Sequence, residues 1–91
     1  MDLVECEVSP GLRDQEATVR VVAYDGRKEF MPVDRRLLVR EEGRDYLPIT
    51  IIHLHEKDQA ALVVLPVEAD SGAHRIWVRL VALKNPVGAS A

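Results

Sequence analysis

Residues 60–67 read Ala-Ala-Leu-Val-Val-Leu-Pro-Val, eight consecutive positions without a polar or charged side chain. Side chains alternate between the two faces of a strand, so Leu62 and Val64 project one way and Ala61, Val63, Leu65 and Val67 the other. Neighbouring segments repeat the pattern. Residues 46–54 place Leu47, Ile49 and Ile51 on one side and Ile52 and Leu54 on the other, and residues 76–83 carry Arg79 as their only charge. An antiparallel sheet in a protein with one core buries one face and wets the other, so two apolar faces call for two covers. The N-terminal half supplies one, since its strand 17–24 turns Thr18 and Arg20 outward. A second copy of the chain is the simplest second cover, which predicts a two-fold homodimer with Val63, Val64 and Leu65 on the candidate interface strand.

Period-two alternation and β-branched residues run through the rest of the chain. Strands are expected over residues 3–8, 17–24, 28–33, 46–55, 60–67 and 75–83. Asp25-Gly26 is the strongest hairpin signal, and Ser9-Pro10-Gly11 marks an earlier turn. Residues 34–43 fit either a short helix capped by Asp34 and ended by Gly43, or a single turn followed by a strand over 38–41. At 91 residues there is room for one domain. The expected domain is residues 1–83, all-β, with residues 84–91 as a flexible tail. Its expected architecture is a six-stranded antiparallel barrel or sandwich, seven-stranded if 38–41 is counted, either SH3-like or a pseudo-duplicated pair of meanders.

The duplicated alternative has support in the residues. Displacing the chain by 44 positions pairs Asp14-Gln15 with Asp58-Gln59, Ala17 with Ala61 and Val19 with Val63. Two extra residues in the second turn then pair Asp25 with Asp70, Gly26 with Gly72 and Phe30 with Ile76. A three-stranded half is too small to bury a core alone, so two such halves must pack on each other.

Composition excludes several functions. The apolar fraction of 47% is that of a folded chain, and no apolar run reaches the roughly 18 residues of a membrane span. The first residues lack the basic flank and apolar stretch of a signal peptide, and the single cysteine, Cys6, has no internal disulfide partner. Both point to the cytoplasm. In the alternating stretch 4–8, Cys6 shares a face with Val4 and Val8, and the acidic neighbours Glu5 and Glu7 oppose thiolate formation, so it is read as a core residue. The net charge is −3 with positives and negatives interleaved, which disfavours nucleic acid as a partner. No phosphate loop, nucleophile elbow or HExxH motif is present; the chain is read as non-catalytic and without a cofactor.

Three groups of residues remain as candidates for binding. Trp77 shares a strand face with Arg75 and Arg79, opposite Ile76 and Val78. If the aliphatic face is core, Trp77 stands outward between two guanidinium groups, a common arrangement in protein-binding surfaces; the alternative is that Trp77 is itself the core anchor and the strand is buried on both sides. His53 and His55 lie two apart on a strand, where two imidazoles can meet one zinc ion. The third histidine, His74, is expected opposite Val67 and too far away to join them. Arg35, Arg36 and Arg40 form the most basic region, an alternative RNA-contacting surface, but too few stacking aromatics lie near. The principal expectation is a small protein-interaction or self-association module.

Overall fold

The computed structural model describes residues 2–84. The expected tail lies outside them except for Lys84, which belongs instead to a short strand. The strands are β1 (Asp2–Pro10), β2 (Glu16–Val22), β3 (Lys28–Asp34), β4 (Val39–Glu41), β5 (Arg44–His55), β6 (Ala60–Val64), β7 (Arg75–Arg79) and β8 (Leu83–Lys84). They form one antiparallel sheet in the order β3-β2-β1-β5-β6-β7, curled into a half-barrel, with β4 added to β5 and β8 added to β1. The region 34–43 takes the second of its two expected forms. Asp34 caps a 3₁₀ turn over Arg35–Leu37, and β4 follows it. Glu42 and Gly43 both have positive φ, the requirement of a two-residue hairpin loop into β5.

This order is that of two equivalent meanders joined back to back through β1 and β5. Ala17 and Val19 of β2 and Ala61 and Val63 of β6 are all fully buried. The turns agree as well. In residues 23–27, Ala23 N–H donates to Arg27 C=O and Gly26 N–H to Ala23 C=O; in residues 69–73, Ala69 N–H donates to Ala73 C=O and Gly72 N–H to Ala69 C=O. After each meander a 3₁₀ turn begins with an N–H bonded to a glutamine carbonyl, Arg35 to Gln15 and Leu80 to Gln59, both at 2.9 Å. The strand after that turn then crosses to the other half, β4 to β5 and β8 to β1.

Register corrects two of the expected pairings. Asp25 corresponds to Ser71 and not to Asp70: the Asp25 carboxylate accepts from Arg27 N–H at 2.9 Å, and the Ser71 hydroxyl accepts from Ala73 N–H at 3.3 Å. Ile76 corresponds to Met31 and not to Phe30, because Met31 faces Val19 as Ile76 faces Val63. The second half carries extra residues between β6 and its turn, and these shift the alignment. For the same reason His74 C=O accepts from Leu65 N–H at 2.8 Å, so its place is beside Leu65 and not opposite Val67.

The core lies inside the curl, where Val4, Cys6, Val19, Val21, Met31, Leu47, Val63, Leu65 and Val78 meet. Val4 pairs directly with Leu47 at the centre, and both are fully buried. The open seam between the halves is closed by Tyr24 N–H donating to Trp77 C=O at 2.7 Å and Asp70 N–H to Phe30 C=O at 2.8 Å. Beside the second bond, the Ser71 hydroxyl donates to the buried carboxylate of Glu29 at 2.6 Å, which satisfies a charge that would otherwise be costly inside.

β5 contains the one irregularity that redirects side chains. Ile51 faces Val63, but His53 faces Leu62, so Ile52 is an extra residue in a β-bulge. The bulge reverses the alternation. Leu54 therefore packs on the core side with Leu47, Ile49 and Ile51, contrary to the face expected for it, while His53 and His55 point outward.

The two turn glycines and the core thiol each give an expected outcome. Gly26 and Gly72 have φ of 90° and 92°, and nothing lies within 4 Å of an added Cβ at either. Gly26→Ala and Gly72→Ala should each cost about 1 kcal/mol in urea unfolding, by matched amounts, because only backbone strain is involved. Burial, reinforced by the Asp45 and Glu5 carboxylates, pushes the Cys6 thiol up from the ordinary 9.0 to about 12. The fold favours the neutral thiol, so its contribution is complete below pH 9.0 and is lost as the pH rises toward about 12. Wild type should lose stability relative to Cys6→Ala between about pH 8 and about pH 10.5. Cys6→Asp should cost about 3–5 kcal/mol at neutral pH.

Candidate functional site

The outer surface of β5, β6 and β7 carries the residues in rows. His53, Leu62 and Trp77 lie side by side across the three strands, and His55, Ala60 and Arg79 form the next row. Alternation along β7 buries Ile76 and Val78 and leaves Arg75, Trp77 and Arg79 outside, with Trp77 40% exposed. Leu62 and Val64 are half-buried on this same outer surface, and Ile52 at the bulge is 45% exposed. Val63 and Leu65 point the other way and are completely enclosed in the core, so of the three residues expected on an interface strand only Val64 reaches the surface.

Trp77 packs against two imidazole rings from β5. His53 and His55 approach it edge-on, with ring centres 5.9 and 6.4 Å from the indole, and the two imidazoles lie 6.4 Å apart. Asp58 Oδ2 lies 2.9 Å from His55 Nδ1. From the other side of the seam Tyr24 reaches over, its hydroxyl donating to Asp58 C=O at 3.1 Å, and the Arg79 guanidinium lies over the Tyr24 ring, 5.0 Å from its centre. Tyr24, His53, His55, Asp58, Ala60 and Trp77 enclose an open cleft of about 310 Å³. Ala60 makes it possible. The row positions on either side of it hold His55 and Arg79, and a larger residue between them would fill the space. Across Tyr24 and Trp77 a second cleft of about 340 Å³ continues toward Arg27, Glu29 and Arg75.

Tyr24 and Ala60 carry no signal of this role in the sequence. Tyr24 reads as the last residue before a hairpin turn, and only closure of the seam brings it against β7. His74 is not part of the cluster, and among the described residues no group of three or more His, Cys, Asp or Glu is disposed to hold a metal ion. Among those residues, too, no helix is long and apolar enough to cross a membrane.

The arginine-rich region is occupied internally. Arg36 pairs with Asp34 at 2.9 Å, Arg40 with Asp45 at 3.1 Å and Arg44 with Glu5 at 3.1 Å, while Arg35 Nε donates to Asp14 C=O at 2.9 Å. Arg36, Arg40 and Arg44 are thus each paired with a carboxylate, whereas Arg35 is bonded to a carbonyl.

Searches of protein-family models, curated proteins and solved structures match nothing to this chain, so the site is read from its own geometry.

The side-chain bonds from Arg36, followed by its backbone N–H, hold the Asp34 carboxyl down at about 2. The benefit of this contact is present above the ordinary 3.8 and is lost as the pH falls through about 2. In Arg36→Ala the Asp34 titration, followed by carboxyl NMR, should move up toward 3.8.

Proposed function

We propose that this protein is a non-catalytic interaction module that self-associates through the outer face of β5, β6 and β7, centred on Trp77, Leu62 and Val64 and rimmed by Arg75 and Arg79. The observation that carries this reading is the contrast between two halves of one design. In the first half the outer rows are Ser9, Thr18 and Pro32, then Glu7, Arg20 and Phe30, and Arg20 is ion-paired with Glu7. At the same places the second half has His53, Leu62 and Trp77, then Thr50, Val64 and Arg75. The first half carries polar residues, Thr18 and Arg20, at the middle of its outer rows, with Phe30 exposed at the edge where the second half has Arg75. Leu62 in place of Thr18, Val64 in place of Arg20 and Trp77 in place of Pro32 add apolar area that folding of the isolated chain does not require, and such area marks an interface.

A second copy suits this face because Leu62, Val64 and Trp77 are neighbours on it, an apolar group that can be covered by itself across a two-fold axis with Arg75 and Arg79 at the rim. Trp77 arrives already positioned by the two imidazoles, which lowers the entropy lost when it is buried. The free, buried Cys6 fits a reducing cytoplasm, where this reading places the protein.

Light scattering on a sizing column should report a dimer at micromolar concentration. Val64→Lys, on the outer face, should give a folded monomer, whereas Leu65→Lys, inside the core, should unfold the chain. A monomeric wild type, or a Val64→Lys variant that remains dimeric, would contradict the proposal.

A further inference from the structure

The geometry points to a metal site shared between two copies of the chain: His53 and His55 of each copy supply four imidazoles to one divalent transition-metal ion, zinc being the best match. This rests on the proposed dimer and assigns a ligand to its two-fold axis, since an ion held alike by both copies must lie there. One chain offers two adjacent outward imidazoles on β5, and among the described residues no group of three or more His, Cys, Asp or Glu is disposed to hold a metal ion. Cys6 is enclosed in the core, and His74 lies beside Leu65 at the other end of β7. A structural zinc site is closed by four ligands, and a two-fold axis turns two donors into four.

Local geometry favours coordination over mere exposure. The β-bulge at Ile52 is what turns His53 and His55 outward together. Asp58 lies against Nδ1 of His55, the carboxylate-to-imidazole contact that orients metal-binding histidines and leaves Nε2 as the free donor. Imidazoles sharing a tetrahedral zinc ion have ring centres about 5 Å apart. The rings here stand 6.4 Å apart and edge-on to Trp77, so modest side-chain rotation brings them to that spacing. The neighbouring strip of Leu62, Val64 and Trp77 is the surface that the second copy covers. Imidazole nitrogen without thiolate suits zinc, nickel or copper(II) and not calcium or magnesium.

The test uses the whole chain, stripped of metal with EDTA and titrated with zinc chloride, read by calorimetry and by light scattering on a sizing column. One zinc per two chains is expected, and zinc at ten times its dissociation constant should tighten the dimer about tenfold. His53→Ala and His55→Ala, both exposed positions, should remain folded by circular dichroism and lose the zinc response, so that their association is the same with and without the metal. Binding of one zinc per chain, or no binding at all, overturns the shared site. A metal-free dimer that ignores zinc and both histidine variants overturns the metal site and leaves the interface standing. A chain that stays monomeric with and without zinc overturns both.

Discussion

Neither meander can bury its inner face alone, and the pairing of β1 with β5 lets each act as the cover of the other. Val4 and Leu47 face one another at the centre of that pairing, and each occupies the same place in its own half. From this contact outward the halves repeat: a meander, a turn ended by a glycine with positive φ, a 3₁₀ turn anchored on a glutamine carbonyl, and a strand handed across to the opposite half. The exchange of β4 and β8 makes the joint hard to open, because separating the halves breaks three strand pairings together. Glu29 with Ser71 and the two backbone bonds at the seam then hold the curl.

Within this repeated frame the differences between the halves become informative. Equivalent inner residues are alike, since one core selects them for size and apolarity. Equivalent outer residues diverge, from Ser9, Thr18 and Pro32 to His53, Leu62 and Trp77. The bulge at Ile52 belongs to the same divergence: β1 pairs with β2 without interruption over Glu7–Pro10, whereas β5 takes in one extra residue against β6. That single insertion moves Leu54 into the core and both imidazoles to the surface around Trp77.

Much of the fold was legible in the residues, because alternation of apolar and polar side chains is a direct image of a curled sheet with one inner face. The pairing of Ala17 with Ala61 and of Val19 with Val63 exposed the repeat, whereas alternation allowed Trp77 either to stand outward or to anchor the core, and the burial of Ile76 and Val78 decides between them. Other features depend on contacts distant in the chain. A bulge leaves no residue signature in 46–55, so Leu54 was assigned to the wrong face. The continuous apolar run 60–67 hid which side was core, and the enclosure of Val63 and Leu65 resolves it. Tyr24 joins Trp77 only through the seam, a contact that spans most of the chain.

Self-association buries the outer face of the second half in the proposed dimer, and Trp77, the single tryptophan, reports on that face directly. Acrylamide quenching of its fluorescence, measured from nanomolar to tens of micromolar protein, follows its exposure as copies associate. Burial against a second copy predicts strong quenching in dilute solution and protection as concentration rises, with Val64→Lys accessible throughout. Equal quenching of the wild type at every concentration would contradict it.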